Sequence, residues 1–301
     1  MARRAIGGQP VTQDNTPRAL ATIVVAAFCF ACVGVAVRMA GDVPVHEKVF
    51  FRSVVSLAVM AVIALRSGEN PFARSRHVPA LVLRGLFGTI AMILYFYALE
   101  HLTLADAALL NKLSPFFVAA FAILFLRERP SRYLVPTLLC AFVGAGLVIK
   151  PQLDIRALPA LAGLLSAVGS AAAYTTVRSL RGKVPPYKVV FYFSLVATVA
   201  LLPPTIARFV RPDARQLLFL VAAGVFATIG QVCLTYAYHQ APATKISIYN
   251  YAHVLFAFLL GLVLWSEVPD LLSLVGGTLI VGAAVYNHRK VMIEEQVPSP
   301  S

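Results

Sequence analysis

The chain has 301 residues, 59% of them apolar or aromatic and 13% charged, with a mean hydropathy of +0.79. Average soluble domains carry about 25% charged and about 45–50% apolar residues, so a single water-soluble globule of this composition lacks the charge to cover its surface, and the same hydrophobicity excludes disorder. The net charge of +13 fits either a nucleic-acid-binding surface or, in a membrane protein, an uneven distribution of basic residues across the bilayer.

The apolar residues gather into ten stretches, each close to the roughly 20 residues that cross a bilayer. In chain order the predicted spans are 19–37, 49–65, 79–99, 103–126, 133–149, 158–177, 189–206, 217–238, 243–265 and 271–286. The third and fourth are split only by Glu100-His101-Leu102-Thr103, the eighth and ninth by His239-Gln240-Ala241-Pro242. Span 19–37 carries no charge and is longer than the strictly alternating segments of about ten residues in a barrel strand. A helix satisfies its backbone hydrogen bonds within such a segment. The expected fold is an all-α membrane protein of ten transmembrane helices, with connections too short for an extramembrane domain. Gly163, Ala167 and Ala171, four apart, allow close helix approach.

Arg3, Arg4 and Arg18 precede a first apolar segment longer than a cleaved signal, so it reads as a retained first helix. Cys29, Cys32, Cys140 and Cys233 all fall within spans. They read as small apolar fillers rather than metal ligands or disulfides.

With a cytoplasmic N-terminus, and with Lys245 counted at the cytoplasmic edge of its span, sixteen Lys and Arg fall on the cytoplasmic side and seven on outer segments. Arg52, Arg84 and Lys112 remain within spans. This bias satisfies the positive-inside rule and accounts for the basic excess without nucleic acid. Ten spans return the C-terminus to the cytoplasm, and the expected location is the cytoplasmic (inner) membrane.

A shift of 139 residues aligns 85–130 with 224–269, matching Gly85/Gly224, Phe87/Phe226, Thr89/Thr228, Ile90/Ile229, Tyr97/Tyr236, Ala98/Ala237, Asn111/Asn250, Glu128/Glu267 and Pro130/Pro269. Each repeat then holds five spans, an odd number that inserts the second half upside down. Inverted repeats of this kind surround a midplane substrate site and support alternating access. The expected organisation is a cytoplasmic tail over 1–18, five-helix repeats over 19–150 and 157–288, and a cytoplasmic tail over 289–301.

Two motifs carry a resemblance to a known family: Ala107-Ala108-Leu109-Leu110-Asn111-Lys112-Leu113-Ser114-Pro115, then Leu126-Arg127-Glu128-Arg129-Pro130, whose ending recurs as Glu267-Val268-Pro269. The chain resembles the EamA-type permeases of the drug/metabolite transporter superfamily, from about residue 19 to 288. The resemblance implies ten helices, two inverted five-helix halves and secondary transport of small metabolites, often outward. The second half departs from the first at Val254, opposite Pro115.

Charge inside a membrane is costly and asks for a reason. Arg52 and Arg84 lie near span ends, where a long stem snorkels to water, and are read as structural or gating residues. Lys112 lies roughly 13 Å into a core about 30 Å thick, at 1.5 Å per residue, too deep for that escape. Pro115 lacks the amide that would bond the carbonyl of Asn111. Asn111, Lys112 and Ser114 therefore gather at a weakened turn, and the repeat supplies Asn250 beside Tyr249, Tyr251 and His253. Such a set suits a zwitterion or small acid, with Lys112 meeting a carboxylate; hydrogen bonding between helices is the alternative. Tyr95 and Tyr236 are candidates for the pathway. Glu128 and Glu267, at the ends of equivalent helices, are candidates to latch a gate together with Arg127, Arg129 or another helix. Glu100, Asp106, His239 and His253 are candidate proton carriers.

Enzymatic constellations are lacking in the sequence. His46-Glu47-Lys48-Val49-Phe50 has no second histidine for a zinc protease motif, and no phosphate-binding glycine loop occurs. The expectation is a transporter without cofactor that exports a small polar or amphiphilic metabolite, amino-acid-like or a derivative, with gradients or a partner as the energy source and a proton or other ion as the candidate coupling ion. Uptake of a vitamin or nucleoside-like metabolite is the alternative within transport. A non-transporting scaffold or accessory subunit is the alternative from another class.

Overall fold

The computed structural model describes residues 16–66, 70, 72, 76–126, 133–149, 157–180, 183–240 and 247–296. Their regular structure is helical throughout. The first half contains α1 (Thr16–Met39), α2 (Val45–Arg66), α3 (Val78–His101), α4 (Leu104–Asn111), α5 (Ser114–Leu126) and α6 (Leu134–Ile149). The second contains α7 (Ala157–Ser179), α8 (Pro186–Ala207), α9 (Ala214–Gln240), a 3-10 turn (Ser247–Tyr251), α10 (Ala252–Trp265) and α11 (Leu271–Gln296).

Among the described residues, eight segments are long and apolar enough to cross a membrane, and Val135–Ile149 and Tyr249–Trp265 are shorter apolar helices. Large apolar side chains such as Leu65, Leu124, Phe125, Ile206 and Val263 are exposed on the helices. In water such a surface drives association; in lipid it meets a matching solvent. The protein is a multi-pass membrane protein.

Two predicted spans differ from continuous helices. The fourth is divided at Lys112 and Leu113 into α4 and α5, and the ninth opens with the 3-10 turn before α10 begins. The final helix continues to Gln296, ten residues past the predicted end at 286, because a helix does not stop where apolar sequence stops.

Helix packing follows a simple exchange rule. Helix α1 packs on α9 as α3 packs on α7; α2 meets α9 as α3 meets α8; α1 meets α10 as α7 meets α4 and α5. The remaining major pairs, α2 with α8, α6 with α11 and α4 with α10, join counterparts directly. Local detail repeats too. Thr89 Oγ1 donates to the Gly85 carbonyl and Thr228 Oγ1 to the Gly224 carbonyl, each at 2.8 Å. A Cβ added to Gly85 would stand 2.7 Å from Val196, and one added to Gly224 would stand 2.5 Å from Val55. Matched glycines thus admit a β-branched residue from the opposite half.

The small residues expected to permit close approach do so. Gly163 of α7 lies against Leu110 and Ala98, while Ala167 and Ala171 are wholly buried. Helices α6 and α11 come closer still: a Cβ on Gly144 would meet the Gly276 carbonyl at 2.6 Å.

Candidate functional site

Helix α4 starts at Thr103, whose Oγ1 accepts the Asp106 N–H at 3.0 Å, an N-cap that satisfies one of the free amides of the first turn. The helix ends after Asn111. The Lys112 N–H still donates back to the Ala108 and Leu109 carbonyls, at 3.0 and 3.1 Å, and the Leu113 N–H to Leu110 at 3.1 Å. Helix α5 restarts at Ser114 and places Pro115 in its first turn, where a missing N–H costs nothing. The sequence reading weakened a continuous helix at Asn111; the structure instead breaks it completely, one residue later, because proline is accommodated by starting a new helix.

Lys112 itself occupies the break and is buried at 8% exposure. Tyr251, the last residue of the 3-10 turn, donates its hydroxyl to the Lys112 carbonyl at 3.0 Å. His253, in the first turn of α10, is buried, hydrogen-bonds to the Phe30 backbone of α1 and lies within electrostatic reach of Lys112. Its Nδ1 and the Asn250 Oδ1 are buried without a hydrogen-bond partner. No described carboxylate lies within ion-pair distance of Lys112. The break between α4 and α5 therefore meets the 3-10 turn that leads into α10, through Lys112 and Tyr251, and the neighbouring residues Asn250 and His253 carry buried polar atoms with unused capacity.

The other predicted site residues divide. Ser114 is buried beside the break. Asn111 donates from Nδ2 to Ser166 Oγ of α7 at 3.1 Å, and Ser166 donates to the Gly163 carbonyl at 2.6 Å, so part of its capacity is spent joining helices. Tyr95 packs, part-buried, against the core cluster containing Leu99, Leu104 and Phe193. Tyr236 and Tyr249 are 50% and 44% exposed. Glu128 and the His239 side chain lie outside the described residues.

Arg52 and Arg84 do not snorkel. Both are 6% exposed, turned inward from α2 and α3 onto Phe193 of α8. A position near a span end predicts escape to water only for a side chain on the lipid face, and helix packing puts these two on the inner one.

At one end of the bundle, polar contacts draw the helices together. Arg38 at the end of α1 pairs with Glu267 Oε1 and lies over the Trp265 ring, 4.8 Å from its centroid. Glu267 Oε2 accepts the Leu104 N–H at 3.0 Å, capping α4 from the other half. Lys48 Nζ pairs with Glu100 at 2.5 Å and donates to the Gly41 carbonyl at 2.6 Å. Glu47 Oε1 accepts the Val210 N–H at 2.7 Å. The sequence anticipates a partner for Glu267 but neither its identity nor the Lys48–Glu100 and Glu47 contacts, whose partners are distant in the chain.

A multi-pass helical bundle with a lysine buried at a helix break and ion pairs across one end has the build of a membrane transporter. The EamA-like transporter family matches twice, over residues 17–150 and 157–287, and the chain belongs to that family; it is a transporter and not an enzyme. A pseudopaline exporter, CntI, of Pseudomonas aeruginosa is 39% identical over 270 residues, covering 88% of this chain and 94% of the relative. A riboflavin transporter of Brucella anthropi is 26% identical over 277 residues, covering 89% and 97%. A solved crystal structure superposes with a TM-score of 0.66 at 21% identity, covering 92% of this chain and 99% of that one, a likeness of fold.

Proposed function

We propose that the protein exports a small polar or amphiphilic metabolite across the cytoplasmic membrane by alternating access, driven by a proton or other ion gradient. Its ten spans form two inverted repeats, 19–150 and 157–288, with tails 1–18 and 289–301 in the cytoplasm. The exchange rule in the packing and the double family match support this arrangement. The observation that carries the proposal is the meeting of the α4–α5 break with the 3-10 turn of the other half, where Lys112 is buried and His253 Nδ1 and Asn250 Oδ1 have no hydrogen-bond partner. Discontinuous helices at a repeat interface are how many transporters present polar groups at the midplane. On this reading the ion pairs Arg38–Glu267 and Lys48–Glu100 lie at the outer end and latch it.

Export is favoured by the exporter at 39% identity, and pseudopaline is the first solute to test. Accumulation of solute in everted vesicles made from expressing cells, abolished by Lys112→Met, is the expected result. Accumulation only in right-side-out vesicles would establish uptake instead, the reading that the riboflavin transporter relative favours.

A further inference from the structure

Arg52 of α2 and Arg84 of α3 converge on one ring. Their Cζ atoms lie 5.5 and 4.0 Å from the Phe193 centroid, so one ring carries both guanidiniums. The aromatic face attracts each cation but offers no acceptor to the N–H edges. Nε and Nη1 of both arginines are buried without a hydrogen-bond partner, and no described carboxylate is within ion-pair distance of either. Buried charge is ordinarily paired, and an unpaired buried donor asks for an explanation. The surroundings are shaped to the pair. Gly88, one turn beyond Arg84 on α3, leaves the space used: a Cβ there would stand 2.8 Å from Arg84 Nη1 and from Phe193 Cε2.

We infer that Arg52 and Arg84 form an anion-binding position that takes a carboxylate of the transported solute. The unpartnered Nε–H and Nη1–H donors of two guanidiniums supply the charge-assisted hydrogen bonds that a carboxylate accepts, and a bound anion offsets the two adjacent positive charges. The solute class that fits is a small organic acid with more than one carboxylate. This rests on the transport reading above, since it treats the bundle interior as a solute path. A phosphate on a lipid headgroup has related chemistry, and the test separates the two sources.

The experiment measures thermal unfolding of the purified full chain in neutral detergent against increasing succinate, glutarate or adipate. Succinamide and sodium chloride at matched ionic strength serve as controls, and dihexanoylphosphatidylglycerol as the lipid arm. The dicarboxylates are expected to raise the Tm where the controls do not, with the half-saturating concentration rising tenfold or more in Arg52→Gln and Arg84→Gln. The ligand-free Tm of each variant reports its folding. Where a Gln variant does not fold, Arg52→Lys and Arg84→Lys keep the charge but lose the fork, and are expected to weaken binding several-fold. No dicarboxylate response in the wild type, or an equal response in wild type and variants, overturns the inference. A response to the lipid alone also overturns it and assigns the pair to headgroups. Vesicle accumulation of neutral solutes without any dicarboxylate binding would defeat this inference and leave transport standing. Dicarboxylate binding without vesicle accumulation of any solute would do the reverse.

Discussion

The hydroxyl of Tyr251 donates to the carbonyl of Lys112 at 3.0 Å across 139 residues of chain, the same offset that superimposes one repeat on the other. A residue thus bonds its own counterpart. This places the contact where the two halves meet and ties the 3-10 turn of one to the helix break of the other. Because the acceptor is a backbone carbonyl, the bond is independent of the lysine side chain. Two functions at one position, structural and chemical, become separable by mutation.

Tyr251→Phe removes only the donor. A single hydrogen bond contributes about 0.5–1.5 kcal/mol net, so the Tm in detergent is expected to fall by a few degrees. The measurement is thermal unfolding beside Tyr249→Phe, whose half-exposed ring predicts a smaller change.

Lys112→Met has the opposite profile. It leaves the carbonyl bond in place and replaces an unpaired buried cation by an apolar side chain of similar length, a change that is often neutral or stabilising. Stability is expected to hold or rise while vesicle transport falls at least tenfold. Retained transport would remove Lys112 from the solute site.

Glu267→Ala strips two partners at once, the Arg38 guanidinium and the Leu104 amide. Stranded groups of this kind cost about 1–3 kcal/mol. Thermal unfolding should show that loss, and a cysteine replacing the exposed Asp42 should react faster with an impermeant maleimide as that end opens. Arg38→Leu combined with Glu267→Ala should destabilise less than the two separate changes added together, because they share one interaction.

Gly144→Ala and Gly276→Ala each drive a methyl group into the opposing backbone carbonyl, at 2.6 and 2.5 Å. Overpacking of this kind costs about 1–3 kcal/mol. Both variants should lower the Tm, and the pair should be non-additive, since the first displacement of α6 from α11 makes room for the second methyl.

The sequence is most legible where a single helix answers to its own composition. Apolar runs in a bilayer must become helices, and small residues four apart must mark close packing, as Ala167 and Ala171 show by being wholly buried. Lys112 stands out by depth alone. Tyr251 carried a readable signal as well, because the repeat offset maps Lys112 onto it; the alignment of identities passes over it since lysine and tyrosine differ. Arg52 and Arg84 show the opposite case. Distance from a span end is visible in sequence, but the face that a helix turns to its neighbours is not when nearly every face is apolar.

Composition, charge asymmetry and the internal repeat therefore determined the class: a helical membrane protein in two related halves with one deeply placed cation. Those properties arise from the solvent, which acts on each segment separately. Tertiary packing alone decided that the α4–α5 break meets the 3-10 turn before α10, that Glu267 reaches Arg38 and the start of α4, and that two arginines face Phe193 rather than water. Each depends on the rotation of one helix against another, set by side chains that meet only after the chain has folded.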